Sequence, residues 1–104
     1  MAYRTSFKIT TGDYQFNNIS EFLMQLDTFG FHLGAALGDA HESGNVIESS
    51  LDQLAANQFE ITVVWANDML FYQFLVSDVG RRATASAVEL GWDIALVEKQ
   101  EISV

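Results

Sequence analysis

The chain contains neither cysteine nor proline. Without thiols it can form no disulfide and no thiolate metal site, and catalysis by a cysteine nucleophile is excluded. Without proline it has no rigid linker, so chain reversals fall to glycine, asparagine and aspartate. Positive charge is scarce as well: five Lys and Arg stand against fourteen Asp and Glu, a net charge of −9. Nucleic-acid binding needs a basic stripe to meet phosphates, and here Arg81 and Arg82 are adjacent but isolated, so no direct nucleic-acid contact is expected. No apolar run approaches the roughly eighteen residues of a membrane-spanning helix. The opening MAYRTSFKIT carries no signal-peptide pattern, and with the missing cysteines this leads to an expected cytoplasmic location, or a host cytoplasm for a phage-encoded chain.

What the chain has in quantity is apolar and aromatic surface. Of its 104 residues 49% are apolar and 12% aromatic, with eight Phe and two Trp, which suffices for one domain with a real core spanning 1–104. The acids are dispersed: residues 1–52 carry seven acids and two bases, residues 53–104 seven acids and three bases. No tail or block of like charge appears, which speaks against mimicry of a nucleic acid.

Hydrophobic periodicity supplies the elements. Tyr3 to Thr10 alternates as a strand with one wet face, ended by Thr11, Gly12 and Asp13. Asn18 with Glu21 reads as a capped helix start, and Ile19, Phe22, Leu23, Leu26 and Phe29 follow as a stripe closed by Gly30. The same signature at Asn45 and Glu48 predicts a second helix over residues 46–57. Between them, residues 31–38 alternate as a strand, with a helix of small residues as the rival reading. Residues 59–66 and 69–77 read as a hairpin turning at Asn67 and Asp68. Ser77 or Asp78 caps a further helix to about Leu90, with Val79, Ala83, Ala87, Val88 and Leu90 inward and Gly91 as its stop. Trp92 to Glu98 forms a last strand, and Ile102 and Val104 close a frayed tail.

This order predicts an α+β fold: a mostly antiparallel sheet of four to five strands with two to three helices on one face, a variant of the split βαβ, ferredoxin-like arrangement. The hairpin is apolar on both sides, which places Val64, Phe71 and Leu75 on the uncovered face. A bare apolar face is closed by a second copy of the chain, by another protein, or by the helix at 46–57 crossing over. Val64, Phe71, Leu75 and Trp92 are therefore the candidate interface residues.

Chemistry is sparse. His32 and His41 are the only histidines, and Asp39, His41 and Glu42 form a local cluster that His32 could join, but spacing alone does not make ligands converge. The glycines at 34, 38 and 44 match no phosphate-binding fingerprint, no G-x-S-x-G occurs, and Arg81 and Arg82 read as exposed helix residues. No catalytic residue, metal or cofactor is expected. The leading functional expectation is an acidic, non-catalytic module of inhibitor, immunity or phage-accessory type that binds a basic protein. The alternative is a small ligand-binding or enzymatic homodimer with an aromatic pocket lined by Tyr14, Phe31, Tyr72 and Trp92, in which His32 is the candidate acid–base group. A structural subunit of a homo-oligomer is the third reading.

Overall fold

A computed structural model describes residues 1–28 and 30–103. The elements run β1 (Ala2–Thr10), α1 (Ile19–Thr28), α2 (Leu33–Glu42), β2 (Val46–Ala55), β3 (Gln58–Trp65), α3 (Asp68–Val76), α4 (Asp78–Leu90) and β4 (Asp93–Ile102). The four strands form one antiparallel sheet in the order β2-β3-β1-β4. The fold is thus α+β and ferredoxin-like, with four helices against the two to three expected, because each crossover is made of two helices instead of one. Both pairs lie on the same face. By register, Tyr3, Thr5, Phe7 and Ile9 of β1 share that face with Phe59, Ile61, Val63 and Trp65 of β3. Arg4, Ser6 and Lys8 share the other with Glu60, Thr62 and Val64.

Local chemistry explains the elements that periodicity locates correctly. Asn18 Oδ1 accepts the Glu21 backbone N–H at 3.0 Å, and the Glu21 carboxylate accepts the Asn17 N–H at 2.8 Å, so α1 has its reciprocal cap shifted by one residue. Ser77 Oγ accepts from Gly80 N–H at 3.2 Å to start α4, and Gly91 ends it at φ 73°, a left-handed turn that costs glycine nothing. Inside α4, Gly80 is glycine for a steric reason. A Cβ there would run into the Phe74 carbonyl oxygen, so its absence lets α3 and α4 join through Ser77 alone. Val88, read as inward, is exposed, and Ile102 belongs to β4. The readings at Phe29 and Val104 lie outside the described residues.

Three elements differ from expectation. Residues 46–57 are not a helix: β2 pairs with β3 through a two-residue turn at Ala56 and Asn57. Register shifts at Val46/Glu48 and Gln53/Ala55 break its alternation. That disruption leaves Ile47, Leu51, Leu54 and Ala55 at spacings that imitate a helical stripe. Residues 69–77 are not a strand, because Asn67 works as an N-cap whose Oδ1 accepts the Leu70 N–H at 3.1 Å. The Asn-Asp chemistry that serves a turn serves a cap equally well. Residues 31–38 fall mostly in α2, the rival reading.

These changes move the apolar surplus. Phe71 sits on α3 and is fully buried against Tyr3, Phe7 and Trp65 on the covered face, with ring centroids 5.8, 6.2 and 6.0 Å away. Leu75 is half exposed on α3 and also belongs to the covered side. Val64 alone of the three lies on the open face. It is nearly buried there among neighbours that are mostly polar, including the Arg4–Glu98 ion pair at 2.8 Å and the Ser6–Thr62 hydroxyl pair at 3.0 Å. Among the described residues no helix crosses that face.

Candidate functional site

Two hydrophobic clusters hold the helices on the sheet. In the first, Phe22 stacks on Phe59 with centroids 4.0 Å apart and on Trp92 at 5.6 Å, while Phe16 meets all three edge-on at 5.8 to 5.9 Å. Trp92, read as an interface candidate, is a buried member of this cluster, and its indole N–H has no hydrogen-bond partner among the described residues. The second gathers Tyr3, Val46, Val63, Trp65 and Phe71. Here the Trp65 N–H is satisfied by Thr5 Oγ1 at 3.0 Å.

The clusters do not close on one another. A cavity of about 400 Å³ runs between sheet and helices. Phe7, Ile61, Val63 and Trp65 form its floor, Phe31 and Leu37 one wall, and Phe74, Ala83 and Ala87 the other. Ala83 and Ala87 of α4 are among the smallest of its lining side chains. Polar groups lie at its margin, among them Asp39, Asn45, Gln73, Ser77 and Thr84. The size and apolar lining suit a small organic molecule, the usual occupant of such a space.

A second, smaller groove of about 230 Å³ adjoins it, sharing Phe31, Ala36, Asp39 and Val79, and is otherwise lined by His32, Asp78, Arg82 and Gly30. His32 stands just before α2 and its ring takes no part in capping that helix. Its Nδ1 is instead 2.9 Å from Asp27 Oδ1, at the end of α1. Both side chains are more than half exposed, at 63% and 54%. His32 therefore has its carboxylate, but in an open groove and not in a closed pocket.

The sequence-derived candidates separate in space. Phe31 and Trp92 line the cavity; Tyr14 lies outside it, edge-on to Trp92 at 5.8 Å. Tyr72 projects to the β1–β4 side, where its hydroxyl is 3.5 Å from that of Tyr3 and 3.5 Å from Lys99 Nζ. That geometry splits the two phenols. The hydrogen bond to Tyr72, then burial, push Tyr3 from 10.0 up to about 12, while the hydrogen bonds from Tyr3 and Lys99 lower Tyr72. Asp39, His41 and Glu42 all lie on α2, yet His41 Nε2 turns away to Ser49 Oγ at 2.9 Å. Among the described residues no three His, Asp or Glu side chains converge as metal ligands. Nor is any described helix long and apolar enough to cross a membrane.

Asp27, Phe7 and Phe74 carry weight in this region and are not singled out by sequence. Asp27 could have been: it precedes His32 by five residues across the Gly30 turn, which brings the two together. The cavity itself has no signature in one dimension.

Solved structures with this fold give the arrangement a context. A candidate antibiotic biosynthesis monooxygenase from Deinococcus radiodurans superposes with a TM-score of 0.69 at 14% identity, covering 100% of this chain and 94% of its own. A Bacteroides thetaiotaomicron protein of unknown function, suggested to be an oxidoreductase, gives 0.65 at 13% identity, covering 97% of each chain. A mutant form of SnoaB, a cofactor-independent oxygenase from Streptomyces nogalater, gives 0.55 at 12% identity, covering 97% of this chain and 95% of its own. No protein-family model matches the chain, and no curated protein sequence matches it. At such identities the likeness is one of fold.

The expectation of a non-catalytic inhibitor or immunity-type module is overturned here. Its structural support was an apolar surplus on the open sheet face, and most of that surplus lies on the covered face, beside a cavity. The fold, moreover, is one that a candidate monooxygenase and an oxygenase share.

Proposed function

We propose that this protein binds an apolar, ring-sized organic molecule in the cavity between sheet and helices, and acts on it as a small oxygenase-type enzyme. The observation that carries the reading is the cavity: about 400 Å³ of mostly apolar-lined space between the sheet and the helices. Empty volume of this size forfeits dispersion contacts that a filled core would have, so the core is the more stable with an apolar guest. The oxygenase character rests on what SnoaB and the Deinococcus protein are described as doing with the same fold. A homodimer fits this reading, with the open face of the sheet, where Val64 lies, as the surface for a second copy.

Trp65 and Trp92 both line the cavity, so intrinsic fluorescence reports its occupancy. Titration with anthracene-type or naphthalene-type probes is expected to change that emission and raise the melting temperature. Ala83→Leu, which puts a side chain into the space, is expected to weaken binding at least about tenfold while changing stability by less than about 1.5 kcal/mol. Probes that neither change emission nor shift melting would refute the binding reading. Oxygen uptake with naphthol-type substrates then tests the chemistry.

A further inference from the structure

We infer that the protein carries two internal electron relays, Trp65 to Tyr3 and Tyr72, and Trp92 to Tyr14, which lead one-electron oxidation from the cavity out to the surface. The relays rest on geometry. Their role, sparing the chain damage by oxygen-centred radicals formed in the cavity, rests on the oxygenase reading above.

The chain has two Trp, three Tyr and no cysteine, so its indoles and phenols are the groups that give up one electron most readily. Both tryptophans line the cavity and no tyrosine does. All three tyrosines nonetheless stand beside a tryptophan or beside a ring that touches one. Tyr14 lies edge-on to Trp92 at 5.8 Å. Tyr3 faces Trp65 across the strands on the same side of the sheet, and Phe71 packs on both rings at 5.8 and 6.0 Å. Tyr72 continues the line outward, 6.3 Å from Tyr3 and 5.2 Å from Phe71. The two ends, Tyr14 and Tyr72, are 44% and 45% exposed, whereas both tryptophans and Tyr3 are buried.

Each step balances. An oxygen-centred radical takes one electron from an indole and becomes an anion, leaving an indole radical cation. The Trp92 N–H has no acceptor among the described residues, so that cation keeps its proton, and an unpaired charge in a buried setting is unstable. Tyr14 supplies the missing electron and loses its phenolic proton to the water around it, which leaves a neutral phenoxyl radical at the surface. At the other end Tyr3 supplies the electron to Trp65 and passes its proton to water through the Tyr72 hydroxyl, 3.5 Å away. Tyr72 then returns an electron and a proton to Tyr3. The Lys99 ammonium, 5.8 Å from the Tyr72 ring centroid, opposes a cationic ring there, so electron and proton leave together. A thiol or ascorbate-type reductant in solution restores each phenoxyl by giving it a hydrogen atom.

Laser excitation of tryptophan in the ligand-free chain, with a cobalt(III) ammine as irreversible electron acceptor, makes the indole radical in place. Time-resolved absorption then follows indolyl decay and phenoxyl growth. In Trp92→Phe, growth is expected at a rate independent of protein concentration. The double change Tyr3→Phe and Tyr72→Phe should abolish it there, and Tyr14→Phe should not. In Trp65→Phe the pattern reverses: Tyr14→Phe abolishes growth and the double change does not. Tyr14→Phe in the otherwise wild-type chain alters only a half-exposed phenol, and should lose part of the growth whether or not the tryptophan variants fold. Growth that scales with protein concentration, or that survives removal of the assigned tyrosines, overturns the relays. No ligand is present, so that result leaves the cavity reading intact, and failure of the probe titration leaves the relays intact. The protective role is read during oxygen uptake. A Tyr14→Phe, Tyr72→Phe variant should start at the wild-type rate and inactivate after fewer turnovers. Equal lifetimes, or no uptake at all, overturn that role.

Discussion

At one end of the covered sheet face Phe22, Phe59 and Trp92 are stacked ring on ring, and Phe16 closes their edge. A few residues along the same strands, Phe7, Ile61 and Trp65 face a space that Phe31, Phe74 and the alanines of α4 only surround. Both regions draw on the same aromatic-rich composition and the same sheet. They differ in what the helices bring down: α1 presents Phe22, which stacks on Phe59, whereas along the space α4 presents only Ala83 and Ala87, which also pack on the edge of the filled cluster. The filled end is a core that holds the fold. The open end gives up packing energy that a core would otherwise supply, and that sacrifice is the reason to assign function to it.

Truncating a ring at each end is expected to have the largest effect. Phe22→Ala removes a fully buried ring stacked on two others and is expected to cost about 3–5 kcal/mol, enough to unfold the chain or lower its melting temperature drastically. Phe74→Ala enlarges a space that already exists, and should cost less than half as much while loosening any bound probe. Denaturant unfolding of both variants checks this, and equal losses would mean the two ends are energetically alike.

A smaller effect concerns the two tryptophans, one at each end. Thr5→Val keeps volume but leaves the Trp65 N–H without its acceptor in a buried setting, for an expected loss of about 1–3 kcal/mol by the same measurement. Trp92, whose N–H is already unpartnered among the described residues, has no equivalent polar contact to lose.

The smallest effect is a titration. Ultraviolet difference spectra should show Tyr72 ionising before Tyr3, which follows near 12. Tyr72→Phe should bring Tyr3 back toward 10 by removing the hydrogen bond that holds it up. The sign for stability follows from which state keeps its proton. Between 10 and about 12 the unfolded chain gives up the Tyr3 proton while the folded chain retains it, so Tyr3 lowers stability as pH rises through that window. Tyr72 acts oppositely below 10, where the folded chain loses its proton first.

Much of the fold is legible in one dimension. β1, α1, α4 with both of its caps, and the start of β4 follow from periodicity and capping chemistry, and the α+β class from their order. Two of the misreadings, at residues 46–57 and 69–77, turn on asparagine. Asn18, Asn45 and Asn67 offer the same side-chain acceptor; Asn18 and Asn67 cap helices, whereas Asn45 bridges α2 and β2 through its backbone, donating to the Ala40 carbonyl and accepting from Ala66 N–H. At Asn45 the following Val46 and Ile47 favour a strand, and β3 lies alongside to accept it. Of the site, sequence names Phe31, Trp92 and His32 as pocket candidates, and it also names Tyr14 and Tyr72, which lie elsewhere.

The sequence alone determined that this is an acidic, thiol-free chain rich in aromatics with helices laid on an antiparallel sheet, because composition and local periodicity act over neighbouring residues. Only the tertiary structure decided that the core is incomplete. Whether Ala83 faces Phe7 across a gap or against a filled surface depends on how four helices settle on one sheet, and no local pattern encodes a distance between elements far apart in the chain.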